Sequence, residues 1–194
     1  MLESDFMNDN LIRHKITQHY CTHCGSKVSI RIPEGDNRER AICDACGAIF
    51  YENPKIVSGC LLTYKDKILL CKRATEPRCG YWTLPAGFLE NNETLEEGAL
   101  RETFEEAGAK SQDIKLFLIC NLPHISQIYI MYHGSLLDGK FSAGVEMEDI
   151  KLVTETEIPW DDLAFPVISQ TLKCYLEDRK KGNIDIHFHT IMKK

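Results

Sequence analysis

From Tyr51 onward the chain alternates short apolar runs with amphipathic stretches, and the periods of those runs predict most of the elements. Val57 to Tyr64 and Lys67 to Arg73, rich in aliphatic residues and separated by Lys65-Asp66, read as a hairpin. Trp82 to Phe88 then leads into a helical pattern. Thr94 with Glu97 three residues later forms a capping box, so the helix is expected to start at Leu95. Gly108 is the residue expected just past its end, about 13 residues on. At 100° per residue, Leu100, Thr103, Phe104 and Ala107 share one face, and Glu102, Glu105 and Glu106 lie together on the opposite one. Ile114 to Asn121, Gln127 to His133 and Ile150 to Val153 are further strand candidates, and Ser169 to Lys180 is a closing helix. His187 and His189 alternate on what reads as a final strand. The pattern is that of an α/β protein in which Cys60, Cys71, Cys120 and Cys174, all within apolar runs, belong to the core.

Before Tyr51 the pattern is different: short, turn-rich and dominated by cysteine. Cys21-x2-Cys24 is followed, after 18 residues, by Cys43-x2-Cys46, a spacing that suits a tetrahedral structural zinc site. Gly25 and Gly47 follow the two pairs, allowing the tight turn that aims backbone N–H groups at sulfur. Val28 to Ile32 and Arg40 to Ile42 read as two strands joined by a Pro-Glu-Gly-Asp-Asn turn, which makes the segment a zinc ribbon. A piece of about 30 residues buries too little apolar surface to fold without such a staple. A redox-active pair of Cys-x-x-Cys motifs, or unrelated core cysteines, are the alternatives. His19 and His23 stand near the first pair as bystanders, because four cysteines already complete the tetrahedron. The chain is therefore expected to divide into a leader (1–20), a ribbon (21–50) and a larger domain (51–194).

Charge changes the picture most between Gly87 and Ala109, where seven carboxylates and one arginine crowd a loop and the helix that follows it. Carboxylates about 5 Å apart repel by roughly 3 kcal/mol per pair at an effective dielectric near 20, so such a cluster calls for solvent or a cation. Helical spacing alone does not decide between a solvated acidic face and a metal site. The fixed residues around the cluster do. Gly87, Glu93, Arg101, Glu102, Glu105, Glu106 and Gly108 match G-x5-E-x7-R-E-U-x-E-E-x-G-U, and on these residues the chain resembles the Nudix hydrolases. Thr103 and Ala109 stand where the signature has bulky aliphatics, positions without chemistry.

That resemblance implies an α/β/α sandwich with a mixed sheet and a metal-dependent pyrophosphatase. A diphosphate resists attack because its charged oxygens repel nucleophiles, so its hydrolysis needs divalent cations and a base. Oxygen donors suit Mg2+ or Mn2+, and the resemblance gives Glu102, Glu105 and Glu106 the metal together with the backbone carbonyl of Ala86, with Glu105 also counted as catalytic. Glu93 and Arg101, with Gly87 and Gly108, take structural roles. Similar enzymes place a base or a further ligand on a distant loop; here Glu146 is the candidate base and Glu148 the candidate ligand, an acidic surface loop being the alternative. Arg73 and Arg78 are candidates for phosphate, and Tyr81, Trp82, Phe88 and Phe165 for ring stacking. The Ser-Gln-Pro-Trp-Pro-Phe-Pro motif of NADH pyrophosphatases is absent, since Ser111-Gln112 runs into Asp113. Stretches such as Leu-Leu-Cys-Lys-Arg and Trp-Thr-Leu-Pro-Ala-Gly resemble ribbon-containing FAD pyrophosphatases, which implies cleavage of FAD to FMN and AMP, with ADP-ribose as a further substrate. NADH or dinucleoside polyphosphates are the alternative substrates. A nucleotide-sensing or partner-binding module without catalysis is the alternative of another class.

Composition adds limits. The 194 residues carry a net charge of −6 and a pI near 5.7, which argues against a nucleic-acid partner. No run approaches the roughly 18 apolar residues of a membrane span, and the acidic first ten residues resemble neither a secretory nor a transit signal. A cytoplasmic protein is expected, no membrane partner, and a homodimer from the family resemblance. Nine cysteines, an odd number, are better read as ligands and core than as disulfides.

Overall fold

The computed structural model describes residues 18–193, so most of the expected leader lies outside the described residues. The chain forms two compact units that divide between Pro54 and Lys55. In the first, β1 (Val28–Arg31), β2 (Arg40–Cys43) and β3 (Ile49–Phe50) make an antiparallel sheet in that order. The third strand was not legible in two residues. The buried apolar side chains of this first unit are few, chiefly Ala41, Ile42 and two of the cysteines, while Ile30 and Ile32 face solvent. What closes the unit is sulfur. Both glycines after the cysteine pairs have φ near +70°, turning the chain so that His23 N–H reaches Cys21 Sγ (3.3 Å) and Cys46 N–H reaches Cys43 Sγ (3.4 Å). Cys24 and Cys43 sulfurs lie 3.5 Å apart and those of Cys21 and Cys46 3.7 Å apart. Four thiolates on zinc at about 2.3 Å would sit about 3.8 Å from one another, so the donor set fits that ion.

The second unit is a mixed sheet between two helices, as expected. Its strands are β4 (Lys55–Tyr64), β5 (Lys67–Arg73), β6 (Trp82–Thr83), β7 (Ala86–Phe88), β8 (Lys115–Leu122), β9 (Gln127–Ser135), β10 (Met147–Val153) and β11 (His187–Thr190), with helices α1 (Leu95–Ala107) and α2 (Pro166–Lys181). The main order is β10-β5-β4-β9-β8-β11, with β4 parallel to β9 and β11 parallel to β8. Successive residues of one strand serve opposite cores. Cys60, Leu62, Leu69, Cys71 and Tyr132 join Ala99 and Ala107 of α1, whereas Leu61, Ile68, Leu70 and Met131 join Ile168, Leu172 and Tyr175 of α2. A strand covered on both sides reads as an unbroken apolar run, which is why the hairpin was so plain in the sequence. All four cysteines assigned to the core are buried.

One departure from a regular hairpin positions everything that follows. β4 and β5 pair only at Thr63 with Ile68 and Tyr64 with Lys67, and then part. The chain from Trp82 to Phe88 fills the gap: β6 pairs with β5, β7 pairs with β4, and Cys60 N–H donates to the Pro85 carbonyl at 3.0 Å. At Gly59 the approach is so close that a Cβ would stand 2.3 Å from Ala86 Cβ and 2.4 Å from the Pro85 oxygen. The wedge then feeds α1, whose capping box and left-handed Gly108 are both present. Ser58 Oγ ties the first turn down through the Leu95 carbonyl (2.8 Å). Arg101 locks the lead-in loop to the helix: its Nε and one terminal nitrogen hold both oxygens of Glu93 (2.9 and 2.7 Å), and that same nitrogen reaches the Phe88 carbonyl (3.2 Å).

Two consequences can be measured. Gly59→Ala should lower the unfolding free energy by about 1–3 kcal/mol, the usual range for overpacking, because the clash is with backbone; an unchanged urea midpoint would contradict the wedge. Hydrogen bonds from Arg101, then from the Glu90 N–H, hold the Glu93 carboxyl down to about 2. A depressed folded pKa gives stability that is present above the unfolded value of about 4.5 and lost as pH falls towards 2. Lysine cannot reproduce the guanidinium fork. Arg101→Lys should therefore be less stable at pH 7, by a gap that closes between about pH 5 and pH 2; a gap independent of pH would contradict the pairing.

Candidate active site

The acidic helix does not lie on the sheet as its periodicity suggested. Phe104 was expected inward but is 55% exposed, beside Leu100, Ala109 and Leu137 around an apolar hollow. The inward face is Gly98, Ala99, Thr103, Glu106 and Ala107. Small side chains let the helix come close to β4 and β7, and the Thr103 hydroxyl stays satisfied by donating to the Ala99 carbonyl (2.7 Å). A phenylalanine there would hold the helix off. Glu106 is thus carried inward with them, correcting the expectation that all three glutamates face away from the core.

Glu106 is 7% exposed, and its Oε2 accepts the Ala86 N–H at 2.9 Å. Burial pushes its carboxyl up to about 8, with the charges of Glu102 and Glu146 adding to the rise, against the Ala86 N–H and the more distant Arg73. Glu102 is also raised, by burial first, although Arg101 donates to its Oε1 at 2.7 Å. Its carboxylate occupies the space a side chain at position 87 would need: a Cβ on Gly87 would fall 2.3 Å from the Glu102 carboxyl carbon. Glu105 is more exposed, its Oε2 accepting from Arg101 at 3.2 Å. Ala86, Glu102, Glu105 and Glu106 thus surround one end of the wedge. Of these side chains Glu102 and Glu106 are withdrawn from solvent and held above the usual carboxylate range, while Glu105 stays open to it.

The distant loop reaches the same place by capping the helix. Ser142 N–H donates to the Ala107 carbonyl and Gly144 N–H to that of Glu106 (2.8 and 2.9 Å), two carbonyls that a helix end leaves open. Glu146 follows, anchored by Ala74 N–H on its own carbonyl (2.8 Å), and its charge is felt by both Glu102 and Glu106. Glu148 goes elsewhere. The register between β10 and β5 slips between Met147 and Asp149, leaving Glu148 as the extra residue of a bulge, with Lys72 Nζ 3.1 Å from its Oε1.

The remaining candidates separate into groups. Arg73 and Arg78 belong to one tight turn in which Gly80 N–H donates to the Arg73 carbonyl and Arg73 N–H to that of Tyr81 (2.8 and 2.9 Å). The Arg73 guanidinium lies 5.5 Å from the ring of Phe165, and that of Arg78 5.2 Å from the ring of Tyr81. Trp82, by contrast, is a core residue, 8% exposed in the α2-side cluster with Lys151 over its face, so its ring offers no stacking surface. Phe88 is half-exposed under Lys55. Sequence reasoning missed Tyr129 on β9, which burial raises to about 12 while Arg73 opposes the shift and Cys120 and Glu106 add to it. Its hydroxyl shares the electrostatic surroundings of the site, yet it sits in an ordinary apolar strand with no motif to mark it.

The same two segments are matched by known families. Residues 19–52 match the zinc-ribbon family described as Nudix N-terminal, and residues 53–170 match the NUDIX domain. A NUDIX hydrolase from Nitrosomonas europaea, solved as a crystal structure, superposes with a TM-score of 0.87 at 49% identity, covering 91% of this chain and 100% of that one. An NAD-capped RNA hydrolase NudC from Chromobacterium violaceum is 32% identical over 100 residues, 51% of this chain and 36% of that protein. An ADP-ribose pyrophosphatase from Methanocaldococcus jannaschii is 29% identical over 115 residues, 56% of this chain and 67% of that protein. The chain thus spans little more than a third of the NudC relative's length. The family match covers the wedge, α1 and the loop bearing Glu146, and the chain belongs to the Nudix hydrolase family, in the branch with an N-terminal zinc ribbon.

Proposed function

We propose that the protein is a pyrophosphatase that uses Mg2+ or Mn2+ to cleave a nucleoside diphosphate joined to a second moiety, FAD to FMN and AMP above all, with ADP-ribose as a further substrate. The observation that carries this reading is Glu106: a buried acid that feels the charges of Glu102 and Glu146 and accepts the Ala86 N–H. Such a group is an intrinsic burden on the fold, and a bound cation relieves it. The cation would be held by Glu102, Glu105, Glu106 and the backbone of Ala86, and would neutralise the diphosphate oxygens. Glu146 is the candidate base, because it lies on a loop fixed to the helix end and near the other carboxylates. Glu148 would have to leave Lys72 before serving as a ligand.

Arg73 and Arg78, each stacked against an aromatic ring, would meet a charged phosphate, with those rings beside them for a flat base. That pairing supports a dinucleotide-type substrate without choosing among them. A second reading, an NAD-type substrate, is favoured by the names of the NudC relatives. Against it stands the missing Pro-Trp-Pro-Phe-Pro continuation after Gln112. Product chromatography with FAD, NADH, ADP-ribose and NAD-capped RNA separates them: FAD should give the highest kcat/KM, NADH or capped RNA as best substrate would overturn the FAD reading, and no turnover of any would overturn the enzyme reading.

Three further outcomes follow from Glu106. Glu106→Gln should lower kcat at least tenfold with the fold retained, and an unchanged rate would mean that the metal is held elsewhere. Its folded pKa lies above the unfolded value, so the metal-free protein is favoured at low pH and loses stability as pH rises through about 8; Glu106→Gln should remove that loss. Because a protonated carboxyl must release its proton to bind a cation, Mg2+ affinity should rise by up to about tenfold per pH unit from pH 6 to 8 and level off above. Calorimetric titration showing pH-independent affinity would contradict this.

A further inference from the structure

At the far edge of the sheet from β10, a second set of metal-ligating side chains comes together where the bare sequence shows only alternating histidines. β11 runs parallel to β8 as the edge strand, and its period of two puts His187 and His189 on one face while Phe188, 72% exposed, points away. α2 crosses beneath that face with Gln170, Cys174 and Asp178 at successive four-residue steps, a single stripe of the helix. Strand pair and helix stripe interlock. Cys174 Sγ lies 3.3 Å from His189 Nε2, and one donor atom each from Cys174, His187 and His189 falls within 4.8 Å of the others. Asp178, fully buried, accepts from His187 Nε2 at 2.7 Å, which leaves Nδ1 as the ring nitrogen of His187 available for ligation. A carboxylate behind a histidine is the arrangement that fixes ring orientation and strengthens a ligating imidazole.

We infer that Cys174, His187 and His189 form a second metal site, selective for a zinc-type ion and separate from both the ribbon and the glutamate cluster. One thiolate and two neutral imidazoles are a borderline-soft donor set that suits Zn2+ and disfavours Mg2+. On zinc, a sulfur at about 2.3 Å and a nitrogen at about 2.05 Å stand about 3.6 Å apart in tetrahedral geometry, so the Cys174 to His189 separation needs an adjustment of a few tenths of an ångström. The Gln170 amide lies 3.4 Å from both donor atoms and closes one side, leaving the fourth position to water or to that side chain. Cys174 is nearly inaccessible, which protects its sulfur from oxidation and makes the ion structural: it would pin the terminal strand to α2.

The test is metal content by mass spectrometry on the full chain, purified in excess Mg2+ so that the glutamate site holds no zinc. The wild type should contain two zinc ions per chain. Cys174→Ser and His189→Ala should each contain one, as should Cys43→Ser in the ribbon, while Phe188→Ala on the outer face keeps two. One zinc in the wild type, or two retained in His189→Ala, would overturn the inference. Should the variants fail to fold, the wild-type protein loaded with Co2+ decides: a second set of d–d bands at shorter wavelength than those of the tetrathiolate ribbon supports the site, and tetrathiolate bands alone refute it.

Discussion

Glu106 sits where an acid is hardest to keep, on the inner face of a helix pressed against a sheet, and the rest of the second unit is arranged around that placement. The helix can come so close because its neighbours on that face are Gly98, Ala99, Thr103 and Ala107. Its partner, the Ala86 N–H, is available because β4 and β5 part and admit the Trp82 to Phe88 wedge. Remove the splay and the backbone of Ala86 has no place in the sheet; enlarge the inner face and the carboxylate no longer reaches it. Burial of an ionisable group without full compensation destabilises a fold, so its presence points to a function that a neutral residue would not serve.

Arg101 performs the complementary task. It fixes the loop by holding Glu93 with two hydrogen bonds, and it offers its remaining nitrogen to Glu102 and Glu105. One cation therefore restrains the lead-in and partly neutralises Glu102 and Glu105, while the buried Glu106 is left without it. The seven acids divide into those that shape the segment and those left under-compensated. That division is physical, and it does not depend on the family signature.

Much of this was legible in the sequence, for reasons that differ by element. The helix limits were plain because Thr94, Glu97 and Gly108 each perform a local capping task, independent of the tertiary fold. The two-faced strands were plain because burial on both sides removes polar residues altogether. The inward face of α1 was misread because hydrophobicity alone favours Phe104 over Glu106, whereas close packing favours small residues and the buried acid has a partner 20 positions away. Trp82 was similarly offered as a ring for substrate and proved to be core. Nothing local marks the bulge that turns Glu148 towards Lys72, the short β3, or the place of Tyr129 beside Arg73, since each arises from pairing between distant segments. The cysteine pairs carried their own spacing, but Cys174 stands alone in the sequence and meets His187 and His189 only after α2 folds under β11.

The central claim is that the buried acids at the wedge exist to hold a divalent cation. Anomalous diffraction at the manganese edge, from crystals soaked in Mn2+, tests it most directly. A peak within coordination distance of the Glu106 carboxylate, shared with Glu102 or Glu105 and the backbone of Ala86, is the predicted result. Density confined to other acidic groups, or its absence from the wedge at saturating Mn2+, would contradict it.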